Sequence, residues 1–415
     1  MNQTSEAPPR LFYGYIIAVA GLIIMTSMFS TRFVFGVFFK PVLTDFGWTR
    51  AMTSFAFSLS MFMEGLIGIA MGGLNDRFGP RIVLSICGAL VGLGCLLMSQ
   101  ITAIWQLYLF FGIIMGSGMS GVWVPLTGMV ARWFVLKRGI MTGFVLTGAG
   151  LGALIAPPLA NWLISVYDWR NAFSIMGIPV LVLVILAAQF LRGDPSQMGL
   201  MPYGSETGGN PELKSQSNEE GFHLREAVLV RQFWLVMFML FCFGFCSFLV
   251  IVHIVPHATD IRFSAVDAAR VLAAIGGITI IGRLFLGNLA DKTGSRGVFI
   301  IGFIAMTASF FWLVPARELW MLYVFAMVFG FVQGGMGSSE SLLVADIFGL
   351  RSHGLIYGII ACGFTLGATV GPWLAGYLFD ITGSYQSSFV TCAVIGIIGL
   401  ILTVLIKPIT ISDQL

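Results

Sequence analysis

Twelve apolar runs, each long enough to cross a bilayer, leave this chain few architectures. They fall at residues 12–39, 51–74, 82–100, 104–131, 139–166, 171–191, 232–258, 266–289, 297–315, 318–345, 354–379 and 386–406. A helix needs about 20 mostly apolar residues to cross hydrocarbon, and in lipid the backbone must satisfy its own hydrogen bonds. The chain therefore reads as an all-α integral membrane protein of twelve transmembrane helices. Charged residues are only 10% of its 415 positions and hydrophobic ones 57%, whereas soluble domains carry roughly 25% charge. Lipid must cover most of such a surface. A net charge of +3 gives no reason to expect a nucleic-acid partner.

A long polar segment, 192–231, splits the runs into an N-terminal bundle, 1–191, and a C-terminal bundle, 232–415. Its Glu-Thr-Gly-Gly-Asn-Pro and Ser-Asn-Glu-Glu stretches have a linker's composition, and Phe222 to Trp234 reads as an interfacial helix. Fourteen of the 22 Lys and Arg residues lie on the side of the termini and six on the other, leaving Arg32 and Arg283 inside spans. The positive-inside rule puts both termini in the cytoplasm, and a cell (inner) membrane is the expected location. Residues 1–10 are polar and too short for a cleavable signal. The six cysteines all sit in apolar runs, without zinc-site or disulfide spacing.

The halves repeat. Asp76-Arg77-Phe78-Gly79-Pro80-Arg81 matches Asp291-Lys292-Thr293-Gly294-Ser295-Arg296 at an offset of 215, as do Thr44-Asp45 and Thr259-Asp260. Gly152 with Pro157-Pro158-Leu159-Ala160 matches Gly367 with Pro372-Trp373-Leu374-Ala375 at the same offset. One offset held across spans and loops means two six-helix parallel repeats. In the recurring turn, glycine permits a tight bend, and Asp76, Arg77, Arg81, Asp291, Lys292 and Arg296 can pair across helix ends as a cytoplasmic gate.

Parallel repeats with a Gly-Asp-Arg-Phe-Gly-type turn resemble the major facilitator superfamily. Further segments resemble its monocarboxylate transporter family and bacterial relatives, including oxalate–formate-type exchangers. They are Gly36-Val37-Phe38-Phe39-Lys40-Pro41 with Asp45-Phe46-Gly47-Trp48, Arg132-Trp133-Phe134 with Lys137-Arg138-Gly139, Asp194 to Gly204, and Arg225-Glu226-Ala227 with Gln232-Phe233-Trp234. The chain departs from the family in three places. Thr279 stands where animal members carry an Asp one turn before the helix 8 Arg. Arg32 only approximates their helix 1 Lys, and Cys362 lies near the helix 11 Lys of dicarboxylate exchangers.

A charge buried in a span costs at least about 2.5 kcal/mol and is a functional candidate by default. Arg283, near the middle of helix 8, cannot lose its charge and suits a bidentate carboxylate. His253 on helix 7 reads as either a substrate contact and proton site or a packed histidine, with His257 one turn on in water. The two lack further ligands for a metal. Arg32 attracts anions or snorkels to headgroups, and Glu64 and Glu340 are the acids that could carry a proton. Ser120, Trp123, Phe331, Gln333, Ser338, Cys362 and Phe364 are the remaining candidates for the cavity lining.

These residues predict a secondary transporter, not an enzyme, for a small monocarboxylate of the lactate and pyruvate class. It would work as a monomer without cofactor, its partners the carboxylate and a proton, by rocking of the halves. Three alternatives stay open: an oxalate–formate-type anion exchanger, a proton-driven drug exporter, and a transporter-like sensor. No P-loop or nucleophile constellation points to an ATP-driven pump or a hydrolase.

Overall fold

The computed structural model describes residues 12–204, 221–349 and 351–406, without the side chains of Ile69, Asp76, Arg138, Asp291, Lys292 and Thr293. Twelve helices among them are long and apolar enough to cross a membrane. In chain order they are α1 Tyr13–Phe46, α2 Arg50–Gly68, α3 Arg77–Met98, α4 Ile104–Trp133, α5 Gly139–Tyr167 and α6 Trp169–Gln189. The second six are α7 Arg231–Asp260, α8 Ala265–Ala290, α9 Ser295–Leu313, α10 Leu319–Phe348, α11 His353–Thr382 and α12 Gln386–Leu405. Local chemistry sets the ends. Gly47 turns left-handed to finish α1, Thr49 caps α2 by accepting from the Met52 N–H, and Ser264 caps α8 through the Asp267 N–H.

The repeat is physical as well as textual. Gly79 and Gly294, equivalent positions in the two signature turns, both hold positive φ, 78° and 86°, which favours glycine. In the first half α1 packs on α5, α2 on α4 and α3 on α6; six helices later α7 packs on α11, α8 on α10 and α9 on α12. The halves meet along α2 with α11, α5 with α8, and more lightly α1 with α7. Glycine permits this closeness: a Cβ on Gly276 of α8 would come within 2.4 Å of Ala153 on α5.

Beyond α6 the chain is pinned to each half at equivalent turns. The Tyr203 N–H donates to the Trp133 carbonyl at 2.9 Å, and the Phe222 N–H to the Phe348 carbonyl at 2.9 Å. Residues 205–220 of the expected linker lie outside the described residues. The expected interfacial helix is shorter than the sequence suggested. It spans Leu224–Leu229, and extended backbone at Val230 separates it from α7.

With an even number of spans among the described residues, the start of α1 and the end of α12 lie at one end, here the terminal end; the α1–α2 and α7–α8 turns mark the far end. The two ends differ. At the far end a Cβ on Gly376 of α11 would sit 2.4 Å from Ser54 Oγ and 2.7 Å from the Arg50 carbonyl, both on α2. Toward the terminal end Gly128, Gly143, Gly337 and Gly358, on α4, α5, α10 and α11, meet nothing within 4 Å. The bundle is shut at the far end and open toward the termini.

Candidate functional site

Arg283 sits about two-thirds of the way along α8, where the helix runs backbone to backbone with α10: a Cβ on Gly334 would lie 2.2 Å from the Thr279 carbonyl. Its Nη1 donates across the seam to the Leu146 carbonyl of α5 at 2.7 Å. Its Nε is shielded from solvent and has no acceptor among the described residues, and no described acid pairs with it. One face of the guanidinium covers Trp123 of α4, 5.8 Å from the ring centre. Trp123 owes its place to irregular backbone: α4 passes through a π-helical stretch, Tyr108–Met115, and a turn at Ser120–Val122 before resuming at Trp123. Such stretches re-aim side chains.

Beyond Trp123 lies Phe29 of α1, its ring centre 6.1 Å away, and over Phe29 stands Arg32 at 4.9 Å. Arg32 is buried and forms an ion pair with Glu64 of α2. This replaces the expectation that Arg32 attracts anions or snorkels; a neighbouring acid at equal depth removes the need for either. Arg32 also faces Phe248 of α7 at 5.7 Å, so the pair touches both halves. Glu340 of α10 is buried, takes a 3.3 Å hydrogen bond from the Tyr357 hydroxyl, and feels the charge of Arg283 without contact.

The other expected residues scatter. Gln333 accepts from the Thr279 hydroxyl at 3.4 Å, and Ser338 donates to the Gly335 carbonyl, leaving both beside α8. Ser120 and Cys362 donate back to their own helices, to Ser117 and Gly358. Phe364 is half-buried against Phe243 and Phe248 of α7. Phe331 packs beside Phe285 at 5.8 Å. Two residues past Arg283 is about 200° around a helix, so Phe331 lies on the other side of α8 from the guanidinium.

The histidines belong to the far-end closure, not to the cavity. His253 is fully buried, with Nε2 2.8 Å from the Pro372 carbonyl and Nδ1 2.9 Å from the Tyr385 hydroxyl. The carbonyl only accepts, so Nε2 carries the proton and Nδ1 receives the Tyr385 hydrogen. Both ring nitrogens are thus engaged. His257, expected in water, is buried between Tyr385 and Phe389. Tyr385 also accepts from Arg50 Nη1 at 2.7 Å, and burial pushes its phenol above the usual range. Arg50 Nη1 lies 2.6 Å from Asp260, which holds Lys40 as well at 2.8 Å. Asp380 of α11 accepts from the Arg50 and Ala51 N–H groups at 3.0 and 2.8 Å, capping α2 from the opposite half. A crevice of about 520 Å³, lined in part by Lys40, Thr259 and Trp169, lies on this closed end, away from Arg283.

A profile of the Major Facilitator Superfamily matches residues 20–316 and 272–414. The chain belongs to that superfamily. Curated relatives include monocarboxylate transporter 13 of Bos taurus, 28% identical over 385 residues, with 92% of this chain and 87% of the relative covered. Monocarboxylate transporter 12 of Rattus norvegicus is 27% identical over 416 residues, covering 94% of this chain and 84% of its own. Among solved structures, a bacterial homologue of the human lysosomal transporter Spinster, inward-facing and unoccupied, superposes with a TM-score of 0.74 at 17% identity, covering 96% and 97% of the two chains. Its occupied inward-facing form gives 0.73 at 16% identity, over 95% and 96%.

This is therefore a major facilitator transporter, and its two gates are built differently. Among the described side chains, those of the signature turns do not join the halves. Arg81 donates to Gln189 of α6, Arg296 to the Thr403 and Val404 carbonyls of α12, and exposed Arg77 covers its neighbour Phe78. Each stays within its own half. The side chains of Asp76, Asp291 and Lys292 lie outside the described residues. Sequence reasoning missed Arg50, Asp260, Asp380 and Tyr385, which carry the far-end closure. A signal existed in the repeat. Asp45 pairs with Arg170 of its own half at 3.0 Å, while the corresponding turn near Asp260, Ser384-Tyr385-Gln386, has no base.

Proposed function

We propose that this major facilitator transporter carries a small monocarboxylate together with a proton by alternating access, with the terminal end facing the cytoplasm of a cell membrane and the monomer as the working unit. The observation that carries the reading is the Nε of Arg283, unpartnered among the described residues. A buried charged donor without an acceptor is costly, and a carboxylate bound side-on would satisfy it. The names of the curated relatives support the same substrate class. Arg32 is matched by Glu64, so one base rather than two awaits an anion, which favours one carboxylate over two.

Glu340 supplies the proton coupling in this reading. Arg283 stabilises its carboxylate from a distance; an anion paired with Arg283 withdraws that help, and Glu340 takes up a proton as the substrate binds. The loaded carrier then reorients without moving net charge. Rocking would break the far-end contacts of Arg50, Asp260 and Asp380 and close the terminal end. The excess of basic residues on the terminal side supports the orientation.

The test is uptake of radiolabelled L-lactate into proteoliposomes, interior pH 7.5 and exterior pH 6.0 or 7.5. Acid-stimulated accumulation is expected. Arg283→Ala should lower it on the order of a hundredfold, the loss typical of a truncated buried charge pair, and Arg283→Lys should fall between. Uptake that survives Arg283→Ala would reject the site. Electrogenic uptake without a pH dependence would reject the coupling.

A further inference from the structure

We propose that Trp123 determines which acid this site selects, and that the preferred acid carries an aryl substituent. The inference rests on the monocarboxylate reading above. Nη1 of Arg283 is engaged with the Leu146 carbonyl and one face is covered by Trp123, which leaves the edge shared by Nη2 and Nε, open to solvent at Nη2. A carboxylate lying in the guanidinium plane at that edge sends its substituent out past the indole.

That indole is a fixed wall. Buried Phe29 backs it at 6.1 Å, and the irregular turn at Ser120–Val122 sets its direction. Its ring N–H makes no hydrogen bond among the described residues and is open to solvent on this half-buried side chain, free to meet a ligand oxygen. A 2-oxo or 2-hydroxy oxygen beside the carboxylate would serve. A methyl substituent would leave the indole largely uncovered. A phenyl ring would meet Trp123 in the offset geometry aromatic pairs favour.

Pyruvate and phenylpyruvate differ only in the ring and test this directly. Both are offered to proteoliposomes of the native protein, Trp123→Ala and Trp123→Phe, and the ratio of their kcat/KM values is read. The native ratio should favour phenylpyruvate by about tenfold, the scale of one aromatic contact with its buried area. Trp123→Ala should bring it close to one, while Trp123→Phe keeps most of the preference. A native ratio of one or below, with pyruvate clearly transported, overturns the proposal on the unmodified protein alone. So does a ratio unchanged by Trp123→Ala. If neither acid is transported or protects the protein against heat, the monocarboxylate reading itself fails, and with it this one.

Discussion

Four ionisable side chains lie in the middle of the bundle, and they are stabilised in three different ways. Arg283 leans on a carbonyl and an indole, Arg32 and Glu64 neutralise one another, and Glu340 has only a phenol. The differences predict different failures. Glu340→Gln should abolish acid stimulation of uptake while leaving lactate counterflow intact, because the neutral amide mimics the loaded acid; uptake that still rises at pH 6.0 would assign the proton elsewhere. Arg32→Met strands the Glu64 carboxylate and should cost on the order of 3 kcal/mol, seen as a lower Tm in detergent. The double variant Arg32→Met, Glu64→Leu should recover most of that loss. At this scale the sequence showed which residues are charged and buried, and Arg283 stood out. It hid who pairs with whom, since helix packing decides that. One clue was available: Arg32 and Glu64 lie the same number of residues from the α1–α2 turn, and hence at one depth on adjacent helices. Nothing in the pattern marks Phe331 as facing away, because α8 and α10 are apolar around most of their surface.

Helices were the most legible level. Spanning length and apolarity place all twelve, and the 215-residue offset predicts their pairing. What the sequence did not reveal was which end is shut, because glycine looks alike whether it abuts a backbone or faces open space. The contrast between Gly376 and Gly358 makes this testable. Gly376→Leu should wedge α11 from α2 and open the far end, whereas Gly358→Leu, with nothing within 4 Å, should not. A cysteine in place of Val252, fully buried beneath the closure, reports the difference. Its labelling by an impermeant thiol reagent applied from the far side should rise several-fold in the first variant only.

For the whole molecule, closure at one end and openness at the other amount to a conformational preference. The far end is joined across the halves by Lys40, Arg50 and Asp380 chemistry, and among the described residues the signature-turn bases make no such junction at the terminal end. Asp260→Asn, which takes one carboxylate from two cations, should shift the resting balance toward the far-open state by roughly tenfold. Radiolabelled uptake from each side would show it: KM falls for substrate offered at the far face and rises at the terminal face. Equal changes at both faces would mean that Asp260 only stabilises the fold.

The inter-half cap on α2 has a consequence for flux. A carrier that rests with one mouth shut presents its site to the two compartments unequally, and apparent affinity is diluted on the disfavoured side by the fraction of time that mouth is open. Equilibrium is untouched, since the gradients alone fix it. Speed is not. Asp380, holding two N–H groups of a helix it does not belong to, should make transport a kinetic rectifier: uptake is expected to saturate at low concentration from one face and to keep responding at high concentration from the other.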